Sequence, residues 1–275
     1  MPIEQSRDST QFTAFELSGW DTNIVGYDLA FGTVTRQTVG SMLNAARVTR
    51  GMRVLDICCG PGMLAAGALE SGADAIGLDF LRRSSRTRPQ TGAQRPFSAG
   101  RRTGAAVSRG ELRRGTLPVW PHALAETRHG TARNAARAAP WWPSGAQRLG
   151  CGFGFSLVYE AVRARGSLDV ALPHGPDFFQ FGSPERMRAA LGEAGFADSA
   201  AYSFHQDWHV ANADRYIQSI LSGTVRARAV LAAQSGAAAT SVRSYIAAYL
   251  TRFRAPTGEL VVPMPAIIGS GARPS

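Results

Sequence analysis

Apolar positions along the chain recur with different periods in different stretches. Val39, Met42, Leu43 and Ala46 return at the helical period and predict a helix over 35–47. Ahead of it, residues 11–34 set Phe12, Phe15, Trp20, Tyr27 and Phe31 among Gly and Asp, a segment expected to lie across another element. Arg53–Ile57 is a short apolar run that predicts a strand, Gly60-Pro61-Gly62 a tight turn, and Met63–Glu70 a helix closed by Gly72. Ala75–Leu78 is the next strand, with Asp79 at its carboxyl end. Strand, glycine loop, helix, strand and acid in that order form the first half-unit of an open parallel α/β sheet.

The pattern resumes near the other end of the chain. Phe155–Val162 is apolar and helix-compatible. Ser183-Pro184-Glu185 starts a helix with proline at its first position, and Met187, Leu191 and Ala194 share one face before Gly195. Phe196–Phe204 reads as a strand. Residues 212–250 are alanine-rich and predict two helices broken near Ser235-Gly236. Glu259–Ile268 reads as one final strand, with Pro263 and Pro265 placing it at an edge or bulge.

Between these ends the pattern fails. A sheet begun at 53–79 needs further Val/Ile/Leu/Phe strands, yet residues 81–150 hold one Phe, two Val, five Leu and no Ile, Tyr or Met. The same window explains the charge. The 275 residues carry a formal net charge of +10, and all 30 basic residues are arginine. Fourteen arginines against two acids, Glu111 and Glu126, fall in residues 81–150, a balance of +12; the remainder stands at -2. A basic protein invites a nucleic-acid reading, but this window has no recognisable binding motif, aromatic interleaving or repeat.

Other classes are set aside by composition. No apolar run is long enough to span a membrane, and the N-terminus lacks a basic start followed by an apolar core. Cys58, Cys59 and Cys151 make neither a disulfide framework nor a zinc set. A protein of the cytoplasm, with no metal and no membrane partner, is expected.

The candidate chemistry sits in the glycine loop. Parallel sheets bind ligands at the carboxyl ends of their strands, where Asp56, Gly60 and Gly62 lie. Gly60 and Gly62 let the backbone approach a ligand, and Asp79, 17 residues after Gly62, is placed to accept from a ribose diol. Gly60-x-Gly62-x-x-Ala65 formally satisfies a dinucleotide pattern, but Asp56 would oppose a pyrophosphate. S-adenosylmethionine carries an ammonium, a sulfonium and no phosphate, so the acid favours it. Cys58 and Cys59 read as small packing residues rather than nucleophiles. His174, His205 and His209 include candidate proton acceptors, with surface or structural roles favoured. Trp208 and Phe178-Phe179 fit an aromatic pocket or a core equally well.

Residues 50–80, RGMRVLDICCGPGMLAAGALESGADAIGLDF, resemble the first motif and ribose-binding acid of the class I S-adenosylmethionine-dependent methyltransferases. The resemblance is to the small-molecule type related to the ubiquinone/menaquinone-biosynthesis enzymes. It implies a Rossmann-like α/β three-layer sandwich with a seven-stranded sheet, here with its central strands anomalous or missing in 81–150. It implies that Asp56, Gly60 and Gly62 line the methionine part of the cofactor and that Asp79 holds the ribose. GWDTNIVGYDLAFGTVTRQTV resembles the N-terminal cap helices, with Tyr27 often close to the cofactor in the family. FGSPERMRAALGEAGF and GELVVPMPAIIGSG resemble the last helix and last two strands.

The implied organisation is a single domain, 1–275. It comprises cap helices in 1–49, the cofactor half-unit in 50–80, the anomalous segment 81–150, and a C-terminal half, 151–275, whose helical insert 211–255 covers a small-molecule methyl acceptor. No catalytic residue can be named. The likeness stops after Phe80 and resumes around Gly152. Two compensating changes of reading frame in a GC-rich gene, near 80 and 150, would produce this substitution of Arg, Ala, Gly, Pro and Trp for strand residues. A chain lacking its central strands is expected to fold poorly. The alternative reading is a non-catalytic or misfolded methyltransferase-like protein whose arginine segment binds nucleic acid nonspecifically.

Overall fold

The computed structural model describes residues 2–79, 154–176 and 179–272. The anomalous segment 81–150 and Phe178 lie outside them, as do the expectations attached to them. The chain is a mixed α/β protein that divides into two compact units: Met1–Val34 with Pro143–Gly175 and His205–Pro265, and Thr35–Trp142 with Pro176–Phe204 and Ala266–Ser275.

Helix α1, Pro2–Ala45, is one continuous helix of 44 residues, where several cap helices were expected. Its residues through Val34 belong to the first unit and the rest to the second.

The first unit holds α3 (Ser156–Arg165), β4 (Asp207–Val210), α5 (Ala213–Gly223), α6 (Arg226–Ala232), α7 (Gly236–Leu250) and β5 (Leu260–Pro263). β4 and β5 pair antiparallel, with Trp208 opposite Val262. The face of α1 at Gly19, Asn23, Gly26 and Ala30 follows the helical period. It lies close against the junction of α5 and α6: a Cβ at Gly19 would meet Val225, and one at Gly26 the backbone of Ser222. Asn23 Nδ2 donates to the Thr224 carbonyl at 2.7 Å, and Arg228 Nη1 donates to Asn23 Oδ1 at 2.7 Å. Residues 212–250 therefore form three helices rather than two. The expected break at Ser235-Gly236 is present, and Thr224, extended at φ -131°, ψ 161°, makes another.

Trp208 belongs to the core of this unit. Phe31 packs at a tilt against Tyr27, Phe155 and Trp208 with ring centroids 5.8, 5.0 and 4.9 Å away, and Trp208 meets Tyr216 at 5.1 Å. The buried Tyr216 hydroxyl donates to the Gly154 carbonyl at 2.6 Å.

The second unit holds β1 (Arg53–Ile57), α2 (Met63–Glu70), β2 (Asp74–Leu78), α4 (Pro184–Glu193), β3 (Ala197–Phe204) and β6 (Ala266–Ala272). β1 and β2 pair in parallel, Asp56 opposite Gly77; β3 and β6 pair antiparallel. Among the described residues each sheet has two strands. Met42 and Leu43 of α1, Val54, Leu64, Ala65, Ala68, Ala75 and Ile268 make one apolar core. Gly67 of α2 keeps the approach close, since a Cβ there would stand 2.5 Å from Val39 Cγ1. Ser183 caps α4 as expected, its Oγ accepting from Arg186 N–H at 3.3 Å.

The single final strand expected over 259–268 is two strands. Pro263 and Pro265 lack the N–H that a continuous ladder needs, and Met264 between them donates to the Gln206 carbonyl at 2.8 Å. β5 thus pairs with β4 in one unit, and β6 with β3 in the other.

Candidate functional site at the glycine loop

Parallel pairing of β1 with β2 brings their carboxyl ends side by side, so the loop after Ile57 and the acid after Leu78 meet. Cys58, Gly60 and Gly62 all take positive φ, at 59°, 50° and 86°. Three left-handed residues in five fold the loop tightly, and the Gly62 N–H donates back to the Cys59 carbonyl at 2.8 Å. Glycine adopts this conformation without penalty; Cys58 does so at a cost of about 1–2 kcal/mol. Among the described residues a Cβ on Gly60 would meet nothing within 4 Å.

Both expected acids hold this loop. Asp79 Oδ2 accepts from the Gly60 N–H at 2.7 Å. Asp56 is fully buried at the end of β1, and its Oδ2 accepts from the Ala65 N–H at 3.1 Å. It thereby serves the first turn of α2, whose N-cap, Gly62, has no side chain to do so. Asp56 Oδ1 is sealed from solvent without a hydrogen-bond partner. Burial pushes the Asp56 carboxyl up to about 7; the Ala65 amide opposes that rise and the charge of Asp79 adds to it.

The two thiols answer to the same surroundings. Burial, then the charges of Asp79 and Asp56, push Cys58 up to about 12, and burial with the same acids raises Cys59 as well. Both therefore stay protonated near neutrality, which removes the thiolate a nucleophile needs. The loop is suited to a ligand with positive charge and hydroxyl donors and opposed to an anionic one.

Asp56, Gly60, Gly62 and Asp79 are thus brought together within the second unit. Tyr27 lies in the first, nearly buried in the aromatic cluster, its ring edge-on to Trp20 at 5.9 Å. His205 and His209 are surface residues beside Asp207 and Glu259, at 3.5 and 3.3 Å; His174 is exposed. The sequence reading passed over Glu16, which is buried on α1. Its available signal was an acid four residues before Trp20 in an aromatic segment.

Among the described residues no cluster of His, Cys, Asp and Glu could hold a metal ion, and no helix is long and apolar enough to cross a membrane.

No family model matches the chain, and no curated protein matches it. Among solved structures it is similar to the YcgJ protein from Bacillus subtilis, with TM-score 0.47 and 13% identity over 87% of this chain and 99% of that one. It is also similar to a protein from Bacillus halodurans C-125 named as a methyltransferase, with TM-score 0.48 and 11% identity over 87% and 100%. A third is phosphoethanolamine N-methyltransferase 2 of Haemonchus contortus, in complex with phosphomonomethylethanolamine and S-adenosylhomocysteine. Its TM-score is 0.45 and its identity 12%, over 96% of this chain and 60% of that one. At such scores these stand as likenesses, and the reading of the site rests on its own residues.

Proposed function

We propose that the protein is an S-adenosylmethionine-dependent methyltransferase acting on a small-molecule acceptor, of the Rossmann-like class I type. The observation that carries this reading is the pair of acids, Asp56 and Asp79, holding one glycine loop at the carboxyl ends of two parallel strands. A dinucleotide would bring its pyrophosphate against two carboxylates; a cationic nucleoside meets opposite charge. The buried Asp56 Oδ1, which has no hydrogen-bond partner among the described residues, and the room those residues leave over Gly60 both fit such a ligand.

In this reading Asp79 accepts from the ribose hydroxyls, Gly60 and Gly62 admit the ligand to the backbone, and Asp56 supplies negative charge beneath the loop while fixing the start of α2. When bound, S-adenosylmethionine supplies a methyl group on cationic sulfur to an oxygen, nitrogen or carbon of the acceptor. What the chain then has to do is align the acceptor and exclude water. The ubiquinone-related subtype and a cytoplasmic setting belong to the same proposal.

We also read residues 81–150 as frame-shifted. Translating the coding sequence in its other two frames tests this: one of them should yield aspartates and Val/Ile/Leu strands, and neither doing so overturns it.

Calorimetric titration with S-adenosylhomocysteine tests the cofactor. Saturable binding is expected, weakened tenfold or more by Asp79→Ala and by Gly60→Ala. Among the described residues the second change meets no atom within 4 Å, and its left-handed backbone costs about 1 kcal/mol in stability. Absence of binding in the unmodified chain, or unchanged affinity in both variants, overturns the assignment. Salt-sensitive binding to a random oligonucleotide with no response to the nucleoside would favour the arginine-arm reading instead.

A further inference from the structure

A ladder of rings follows one flank of α7 in the first unit and continues past its end into a 3₁₀ turn, Thr251–Phe253. Tyr245, Tyr249 and Phe253 recur every fourth residue and are partly buried. Tyr245 and Tyr249 stack with centroids 6.5 Å apart and planes 18° from parallel, and Tyr249 meets Phe253 at 6.1 Å. A guanidinium lies over each tyrosine. Arg252 Cζ is 4.0 Å from the Tyr249 centroid, and Arg165 Cζ, from the last turn of α3, is 6.0 Å from that of Tyr245. Both arginines are exposed, as are Arg163 in the same turn of α3 and Arg254, whose Nη1 donates to the Gly258 carbonyl at 2.9 Å.

The acids of these same elements are engaged elsewhere. Glu160 of α3 accepts from the Tyr245 hydroxyl at 3.0 Å, and Glu259, next to Gly258, stands 3.3 Å from His209. Among the described residues no carboxylate pairs with Arg165 or Arg252. A guanidinium over an exposed ring contributes little to stability. What the two pairs achieve is placement: two cations held along one ladder, with their donors unspent on carboxylates. A guanidinium already held in position forks a phosphate at small entropic cost. Arginine planes are also surfaces on which unpaired bases stack.

We propose that the Arg165–Tyr245–Tyr249–Arg252 ladder binds single-stranded nucleic acid. Arg165 and Arg252 fork phosphates, Arg163 and Arg254 extend the positive charge, and bases stack against the guanidinium groups that lie over the rings. A lipid headgroup offers the same phosphate but no base to stack, so the planar groups favour the nucleic acid.

The test uses the full chain with no adenosine compound present, so its outcome is independent of the methyl-transfer reading. Residues 81–150 hold fourteen arginines and can attract nucleic acid by charge alone, so the readouts must resolve the site. A single-stranded oligonucleotide carrying photoreactive thiothymidine should cross-link to α7 or the turn after it, mapped by mass spectrometry; cross-links confined to other segments overturn the proposal. By fluorescence anisotropy, the double variant Arg165→Gln, Arg252→Gln should bind the oligonucleotide about tenfold more weakly. Its salt slope should fall by about 1.4, the value for two phosphate contacts on a single strand. Unchanged affinity and slope overturn the proposal. Tyr249→Leu, which removes the ring beneath Arg252, should weaken binding, and Tyr249→Phe should restore it. An equal loss by the double variant on vesicles of anionic phospholipid would assign the ladder to a lipid surface and overturn the nucleic-acid reading. Should a variant lose its helical circular dichroism, the cross-link map of the unmodified chain decides.

Discussion

Asp56 shows how one residue constrains both stability and binding. Its carboxyl is fully buried and satisfies the start of α2, so replacement by alanine removes an acceptor as well as a charge. Asp56→Asn separates the two, because an amide oxygen still accepts from Ala65. The proton balance follows from the raised value. Between about 4 and about 7 the folded state keeps a proton that the unfolded chain has released. Stability therefore falls as pH rises through that window, by about 1.4 kcal/mol per pH unit for each such acid. Glu16, raised to about 7 by its own burial, adds a second contribution of the same sign. Urea titrations across this range should show a falling midpoint, and Asp56→Asn should leave only the part carried by Glu16. A midpoint that climbs toward pH 7 contradicts both assignments.

Among the elements, the contact of α1 with the α5–α6 junction depends on one polar side chain among small ones. Asn23 satisfies the Thr224 carbonyl, which the helix break leaves outside the helical ladder, and also takes a bond from Arg228. Asn23→Ala strands both and should cost about 2 kcal/mol, read as a lower thermal midpoint. Gly26→Ala should cost more, since its methyl would run into backbone at Ser222. These elements also show what was legible beforehand. β1, the glycine turn, α2 and β2 follow the sequence pattern closely because local signals decide them: apolar runs, glycines with positive φ and an acid at a strand end. Ser183-Pro184 announced α4 for the same reason. The break at Thr224 was hidden, since its cause is Asn23, two hundred residues away in the chain. The division of β5 from β6 was half legible: Pro263 and Pro265 signalled trouble in a strand, but not that its two parts would pair in separate sheets. Glu16 was hidden because burial of an acid depends on its neighbours in space.

For the molecule as a whole, the charge of +10 is concentrated in residues 81–150 and says little about the two units described. Those units are built differently. Among the described residues the first sets helices α1, α3, α5, α6 and α7 around an aromatic cluster, whereas the β1–β2 pair of the second is two-stranded. Two strands alone are marginal in water and depend on the helices against them. Hydrogen exchange should therefore find the amides of α5 and α7 protected longer than those of β1 and β2, and thermal unfolding should be broad. The reverse order of protection, or one sharp cooperative melt, would show that the parallel pair is better supported than these contacts imply.

The bond from Gly60 N–H to Asp79 makes the loop its own first ligand. Any diol that reaches Asp79 arrives at a carboxylate already engaged at 2.7 Å, so it must share that acid or displace the amide. Affinity at this site is thus set by an exchange, and the amide is its reporter: occupancy of Asp79 by a ribose should change the exchange rate of a single backbone proton, that of Gly60.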